Sequence, residues 1–193
     1  MTITFRVKDE TRTPVAPQFI THLRAVALCH LLTEKALRLG EDMVYPIHGS
    51  LDSASYAFEA RVCPVALAQL SRIFYDWPPA IALLDEAQFR RRRLRITRAS
   101  AHGRVIMEIS TSHDFAPEVT MPNAGAYALL KTLGLSPDSY GAISLTDMRR
   151  RLTDPVIRGR LEGDPKGLGR YVHDLERMVE TDTVSGQLSM AST

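Results

Sequence analysis

Six arginines lie between positions 90 and 98, and they are the residues of this chain best suited to bind an anion. The planar guanidinium of arginine binds phosphate or carboxylate through two parallel hydrogen bonds, which the ammonium of lysine does not. Alternate residues of an extended strand lie about 6.5 Å apart, close to the separation of successive phosphates along a nucleic acid. We therefore predict an anion-binding strip, whose members are Arg91, Arg93, Arg95, Arg98 and Arg104.

The charge around these arginines is uneven. Between Asp85 and Ser110, seven arginines stand against three acidic residues, and such a surplus raises the local potential and attracts anions. A polyanion would bind mainly through the release of counterions, independently of its sequence. We expect Arg93→Gln combined with Arg95→Gln to weaken this salt-dependent binding without changing the melting temperature. Two alternatives stay open, an ordinary solvated face and a surface for an acidic protein partner.

Two further groups of residues are candidates for a site. A secondary basic cluster lies on a predicted helix and points away from its buried stripe: Arg149, Arg150 and Arg151. His113 is the better candidate for acid–base chemistry, because histidine titrates near neutral pH and the neighbouring Asp114 could orient it. His102, in a predicted turn, is the second candidate. Because of these histidines, a small metal-independent nuclease remains an alternative function.

The sequence contains no motif that indicates a metal or a cofactor. The six histidines include no pair at a chelating spacing, and the two cysteines form no C-x-x-C pair. The nucleophile elbow G-x-S-x-G and the phosphate loop G-x-x-x-x-G-K-[ST] are also missing. We therefore expect neither metal nor cofactor, and we favour a binding protein over an enzyme.

The bulk composition is that of an ordinary globular protein, with 193 residues, 45% hydrophobic residues and a net charge of +2. No apolar run approaches the ~20 residues that a membrane span needs, and residues 1–6 do not resemble a secretory signal. Cys29 and Cys63 are expected to be free thiols in a reducing compartment. We predict a cytoplasmic protein without membrane association.

Hydrophobic periodicity predicts the elements that position the candidate residues. A strand at residues 2–8 precedes a helix at 18–39, which Gly40 ends. Two strands at 43–51 and 55–62, two helices at 64–74 and 79–91, and a hairpin at 93–98 and 104–110 follow. The resulting order, β-α-β-β-α-α-β-β, is that of a split β-α-β sandwich with one added strand.

Alternation in the hairpin sets the direction of the arginine side chains. One face is predicted to be buried: Leu94, Ile96, Val105, Met107 and Ile109. Arg93 and Arg95 lie on the other face, so we expect them to be exposed. Gly103 is expected to supply a special backbone angle in the turn. Arg90 and Arg92 are assigned to the end of the preceding helix, where cations complement the helix dipole.

The stretch SYAFEARV, residues 55–62, shares Tyr56-Ala57-Phe58 with the third-strand motif of the RNA-recognition domain. The remaining positions of that motif differ, with Glu59 in place of a valine. Side chains alternate along a strand, so Tyr56 and Phe58 share the apolar face, and we expect them to be buried rather than stacked on bases. No family membership follows from this match.

The chain becomes helical after Pro117. Helix starts are predicted at Asn123, Ser144 and Asp154. One helix is predicted over residues 164–180, packed by four apolar side chains: Leu168, Val172, Leu175 and Val179. Residues 181–193 have little to bury and are predicted to be a disordered tail.

These elements predict an α+β protein with a mostly antiparallel sheet and helices on one face. Residues 1–115 form the sheet domain, residues 116–180 a helical C-terminal segment packed on it, and residues 181–193 the tail. The favoured function is a non-enzymatic module that holds a polyanion on its arginine-rich face, with nucleic acid as the first choice. The alternatives are a protein–protein adaptor or subunit of a larger assembly that meets an acidic partner, and a nuclease-like enzyme.

Overall fold

A computed structural model describes residues 2–9, 11, 13–114, 116–136, 142–181, 183 and 186–192. The chain divides into two compact units. The discontinuous unit joins Met1–Thr11 with Phe115–Thr193, and the contiguous unit is Arg12–Asp114. Each unit has its own hydrophobic core. Helices and antiparallel strands are mixed in both, which confirms the predicted α+β class.

Strand β1, Thr2–Asp9, belongs to the discontinuous unit. The elements of the contiguous unit are strand β2 (Gln18–Ile20), helix α1 (His22–Leu39), strands β3 (Val44–His48) and β4 (Tyr56–Ala60), helices α2 (Pro64–Ile73) and α3 (Pro78–Phe89), and strands β5 (Arg92–Arg98) and β6 (Val105–His113). This is the predicted order β-α-β-β-α-α-β-β. Its first strand is β2, however, and not residues 2–8.

The five strands of the contiguous unit pair in the order β3-β4-β5-β6-β2, and each of these pairs is antiparallel. Alternate side chains such as Phe58, Leu94 and Met107 enter a core that they share with the three helices. Tyr56 and Phe58 are both buried, as the sequence predicts. The helices therefore cover one face of this sheet.

Helix α1 begins later than predicted and buries a different face. Thr21 caps it by accepting a hydrogen bond from the backbone N–H of Arg24 at 3.2 Å, because the three residues before Thr21 pair with β6 as strand β2. Leu23 is 76% exposed, although the apolar periodicity of this helix favours its burial. The buried face consists of Ala25, Leu28 and Leu32. Gly40 ends the helix with φ of 68°, as predicted.

Helix α3 ends at Phe89, earlier than predicted. Arg90 caps its C-terminus and pairs with Glu86. Arg91 turns the chain with a φ of 52°, in the left-handed region. Arg92 already belongs to β5 and is buried, so its assignment to the helix end is wrong.

The hairpin buries the predicted face. Leu94, Ile96, Val105 and Met107 are buried and Ile109 packs against the same core. Gly103 does not adopt the positive φ that we expected. A Cβ at this position would lie 3.1 Å from the backbone oxygen of Ser100, so close packing, rather than a special angle, favours glycine.

The other elements of the discontinuous unit are strand β7 (Val119–Pro122), helix α4 (Asn123–Thr132), strand β8 (Ala142–Ser144), helices α5 (Leu145–Leu152) and α6 (Pro155–Glu162), a 3-10 helix (Leu168–Tyr171), helix α7 (Val172–Val179) and strand β9 (Gly186–Ser192). Strand β1 pairs with β7 and β9, and β9 pairs with β8, all antiparallel. The alternate residues Ile3, Phe5 and Val7 of β1 are buried in this unit's core.

The predicted helix caps are largely present. Ser144 Oγ accepts from the N–H of Asp147 at 3.0 Å, and Asp154 Oδ1 accepts from the N–H of Val156 at 2.8 Å. Asn123 is the first residue of α4 rather than its cap.

Residues 164–180 do not form one helix. Gly167 has a φ of 74°, and the 3-10 helix separates it from α7. The predicted apolar set is buried all the same: Leu168, Val172, Leu175 and Val179.

Strand β9 lies where the sequence predicted a disordered tail. Its backbone pairs along seven positions of β1, from Ile3 to Asp9, so hydrogen bonding to a distant strand compensates for its few apolar side chains. Leu188 is buried in the core of the unit. One boundary between the two units falls after Asp114, and β1 groups with the C-terminal half of the chain.

No helix in the described part of the chain has both the length and the apolar character needed to cross a membrane.

Candidate functional site

Glu59, at the middle of β4, is a buried carboxylate on the sheet face opposite the helices. It is 1% exposed. Its Oε1 accepts hydrogen bonds from Ser112 Oγ and Arg95 Nη2, both at 3.1 Å, and from Ser110 Oγ. A carboxylate buried this deeply requires such donors, because it has lost its hydration. Strands β4, β5 and β6 thus meet at one acidic side chain.

Arg93 belongs to the same cluster and is 3% exposed, so the prediction that it is exposed is wrong. Its Nη1 lies 3.7 Å from Glu59 Oε2, and its guanidinium carbon lies 3.6 Å from the ring centroid of Tyr45. Alternation placed Arg93 on the correct face of β5. That face is covered at this point, because β3 and β4 supply an aromatic ring and an opposite charge.

The other members of the predicted strip do not continue it. Arg95 pairs with Glu59, and its side chain is 41% exposed. Arg98 donates to the backbone oxygen of Ala101 in the hairpin turn. Arg93 and Arg95 therefore both interact with the carboxylate of Glu59, and Arg98 donates to a backbone oxygen.

Arg91 and Arg104 are the members of the strip that stay exposed. Arg91 precedes β5 and Arg104 precedes β6. The guanidinium carbon of Arg104 lies 5.2 Å from the ring centroid of Phe19. Since β5 and β6 are antiparallel, these two arginines stand at opposite ends of the hairpin and do not form a continuous row.

A second buried acid, Asp114, follows β6 directly. Its Oδ2 lies 3.3 Å from Arg61 Nε, and Arg61 Nη1 also pairs with Glu41 Oε2 at 2.6 Å. Burial raises the pKa of Asp114 to about 6, although the guanidinium groups of Arg61 and Arg93 act in the opposite direction. The sequence did not single out Arg61 or Glu59, because neither position reveals which strand lies next to it.

The candidate histidines lie far apart. His113 ends β6 and is buried, whereas His102 lies in the exposed turn before β6. The length of β6 separates them, roughly 30 Å for nine extended residues, so they do not act on one substrate together. No group of three or more His, Cys, Asp or Glu side chains arranged to hold a metal occurs among the described residues.

The secondary basic cluster is engaged within its own unit. Arg150 pairs with Asp147 at 2.8 Å. Arg149 donates to the backbone oxygen of Val179 and Arg151 to that of Leu133. These contacts stabilise helix ends in the discontinuous unit, because unpaired carbonyl groups at a helix C-terminus favour cationic donors.

The outer face of α1 carries exposed apolar side chains. Leu23 and Leu37 are 76% and 82% exposed. His30 stands midway between them, and the seven-residue spacing puts the three in one row opposite the buried face. An open groove beside this row is lined by α1 and α2, with further apolar side chains: Val26, Ala27, Leu31 and Ile73.

No protein-family model matches this chain, and no curated protein or solved structure matches it.

The candidate groups differ in how much of their surface is open to solvent. The arginine cluster around Glu59 holds strands together, and its charges are largely matched by carboxylates of the same sheet. The candidate acid–base residue His113 is buried. The α1–α2 groove, by contrast, presents apolar surface to solvent.

Proposed function

We propose that the protein is a non-enzymatic binding module and that the α1–α2 groove receives a partner protein. The observation that carries this proposal is the exposed row of Leu23 and Leu37 on one helix. Isolated exposed apolar residues are common, but Leu23 lines the groove itself, and exposed apolar side chains that line a groove mark interaction surfaces. This keeps the adaptor function that the sequence allowed and moves the contact from the arginines to the helices.

The occupant that fits this groove is an amphipathic helix of the partner. Grooves between two helices accept apolar anchors at positions i, i+3 or i+4, and i+7 of a bound helix. The groove is also lined by Glu34, Lys35 and Arg38, with Arg38 paired to Glu34. The remaining positive charge of Lys35 favours an acidic flank on the bound helix.

The test is Leu23→Glu combined with Leu37→Glu, measured against a fluorescent helical peptide with leucines at i, i+3 and i+7 and glutamates elsewhere. Because both leucines are exposed, the melting temperature should stay unchanged. The affinity for the peptide should fall at least tenfold, because two apolar side chains that the bound peptide would cover become charged. Val156→Glu is the matched control, since Val156 is an exposed apolar residue of the other unit.

Equal peptide binding by the wild type, the double variant and the control would refute the groove as the docking surface. Self-association of the wild type that disappears in the double variant would instead make the occupant a second copy of this chain. Size-exclusion chromatography at several concentrations separates this result from peptide binding.

A second candidate function is the binding of a polyanion, nucleic acid first, through the arginines that remain accessible. Arg91 and Arg104 are exposed, and neither forms an ion pair with any described residue. Electrostatic attraction would let each contact one phosphate, together with the partly exposed Arg98. This candidate is supported by fewer groups than the sequence suggested, because Arg93 and Arg95 are bound to Glu59.

The polyanion proposal is tested with Arg91→Gln combined with Arg104→Gln. Arg93→Gln is unsuitable, since it alters a buried cluster. Affinity for a mixed-sequence duplex and for a single strand is measured at several salt concentrations. The logarithmic salt slope should fall by about two in the double variant and stay unchanged in Arg160→Gln, an exposed control. Identical slopes in all three proteins would exclude this role.

We also propose that the protein works in the reducing cytoplasm. Cys29 and Cys63 are both free. Burial raises the pKa of the Cys29 thiol, which disfavours the reactive thiolate. The nuclease-like alternative stays a prediction, without a supporting arrangement of its histidines.

A further inference from the structure

The discontinuous unit contains a partly open cavity of about 290 Å³. Its walls come from β1, β8, β9, α4 and α5, and they are mostly apolar: Phe5, Leu130, Leu133, Leu135, Ile143 and Leu188. Cavities of this size and lining are typical of small-molecule sites, in which a few polar groups orient an apolar ligand. This cavity belongs to neither of the surfaces discussed above.

The polar end of the cavity is formed by α5. Arg150 and Arg151 both line it, with Ser144 and Asp147 beside them. Arg150 pairs with Asp147, but both side chains are largely exposed, at 74% and 51%, so this pair rearranges at little cost. Two guanidinium groups against one carboxylate leave a net positive charge at this end.

Arg151 is held in place at this end of the cavity. Its Nη1 donates to the backbone oxygens of Leu133 and Gly134, which fixes the guanidinium at the end of α4. A carboxylate in the cavity would therefore meet a positive charge whose position is already set.

We infer that this cavity binds a small amphipathic monocarboxylate, with its apolar part against Phe5 and Leu188 and its carboxylate at Arg151 and Arg150. At roughly 30 Å³ for each small group, the cavity holds about ten non-hydrogen atoms. The guanidinium fork matches a carboxylate. Asp147 disfavours a more highly charged head such as a phosphate dianion.

The test uses octanoate, which has ten non-hydrogen atoms, and compares it with octanol and octylamine by isothermal titration calorimetry on the full chain. Octanoate should bind at least tenfold more tightly than octanol, and octylamine most weakly. Arg151→Met should abolish the preference for octanoate over octanol and leave octanol binding in place. Ile143→Trp, which fills the cavity, should abolish the binding of all three.

Equal affinity of the wild type for octanoate and octanol would overturn the assignment to a carboxylate. The site itself is overturned if octanoate does not bind the wild type, or if it binds Ile143→Trp as tightly. Arg151→Met removes the donor to the backbone oxygen of Leu133 and could lower the melting temperature. In that case Arg150→Met, at an exposed position, is used to compare the affinities for octanoate and octanol. None of these outcomes depends on the α1–α2 groove.

Discussion

At the scale of single residues, Glu59 connects side chains from three strands. It binds Arg95 and two serines, and it lies beside Arg93. Such an arrangement is costly to disrupt on one side only, because the remaining charge stays buried without its partner. The cluster therefore determines which arginines of the run are available to anything outside the protein.

Glu59→Gln should lower the free energy of unfolding by about 3 kcal/mol, because the buried guanidinium of Arg93 then loses the carboxylate beside it. The control is Glu34→Gln, which removes a surface ion pair with Arg38 and should cost no more than about 0.5 kcal/mol. Urea unfolding measures both. Glu59→Met combined with Arg93→Met should recover part of the loss, since the buried guanidinium is removed together with its carboxylate, and the side chain of Arg95 is 41% exposed and can be hydrated. Equal losses in the two single variants would contradict the importance of this cluster.

Asp114 should make stability depend on pH with an unusual sign. Its pKa is raised to about 6 from 3.8, so between these values the folded state holds the proton more tightly than the unfolded state. The stabilising contribution is complete below pH 4 and is lost as the pH rises through 6. A shift of about two pKa units corresponds to about 3 kcal/mol.

The measurement is the difference in unfolding free energy between the wild type and Asp114→Asn, determined by urea at pH values from 4 to 8. Because the asparagine does not titrate, this difference isolates Asp114 from the other carboxylates. The wild type should lose stability relative to the variant as the pH rises. A difference that stays constant across this range would show that the pKa of Asp114 is not raised.

At the scale of elements, the strands of the hairpin were predictable and helix α1 was not. Period-2 alternation gave both faces of β5 and β6, because one face meets a core and the other does not. Helix α1 carries apolar side chains all around, including Leu23 and Leu37 on the solvent side. The orientation of its buried face therefore depends on the neighbouring helices, which periodicity does not reveal.

Four strands, β2, β7, β8 and β9, were not predicted, because each is stabilised by a distant segment of the chain. Strand β2 has three residues, too few to show a period, and it is extended because β6 offers it a partner. Strand β9 has little apolar character and depends on β1. Strand propensity is a weak guide wherever tertiary pairing decides the outcome.

The candidate site, like the fold, could be predicted only in part from the sequence. The arginine run and the side of β5 from which Arg93 and Arg95 extend follow from the sequence. Their burial and pairing do not, because Glu59 lies 34 residues before Arg93 and meets it only when β4 pairs with β5. Because of that pairing, Arg93 and Arg95 belong to a structural cluster rather than to a binding strip.

At the scale of the whole molecule, the two units should differ in their ability to fold alone. The core of the contiguous unit contains residues of that unit exclusively. Residues 12–114 should therefore unfold cooperatively in urea as an isolated fragment. Residues 115–193 lack β1, which supplies three core side chains and the partner of both β7 and β9, and they should not.

Joining residues 2–9 to the C-terminal end of residues 115–193 through a flexible linker should restore cooperative unfolding. Dispersed amide signals in a proton–nitrogen NMR spectrum distinguish the folded fragments from the unfolded one. A fragment of residues 115–193 that folds as well without β1 would contradict the division of the chain into these units.

The separation of β1 from its partners also affects synthesis on the ribosome. Strand β1 leaves the ribosome before β9, which begins at Gly186. At 5 to 20 residues per second, translation of the intervening chain takes roughly 10 to 35 seconds. During that time the apolar face of Ile3, Phe5 and Val7 has no β9 to pair with, and such an unpaired strand is prone to aggregate. Chaperones should therefore bind the nascent chain mainly at the residues of β1.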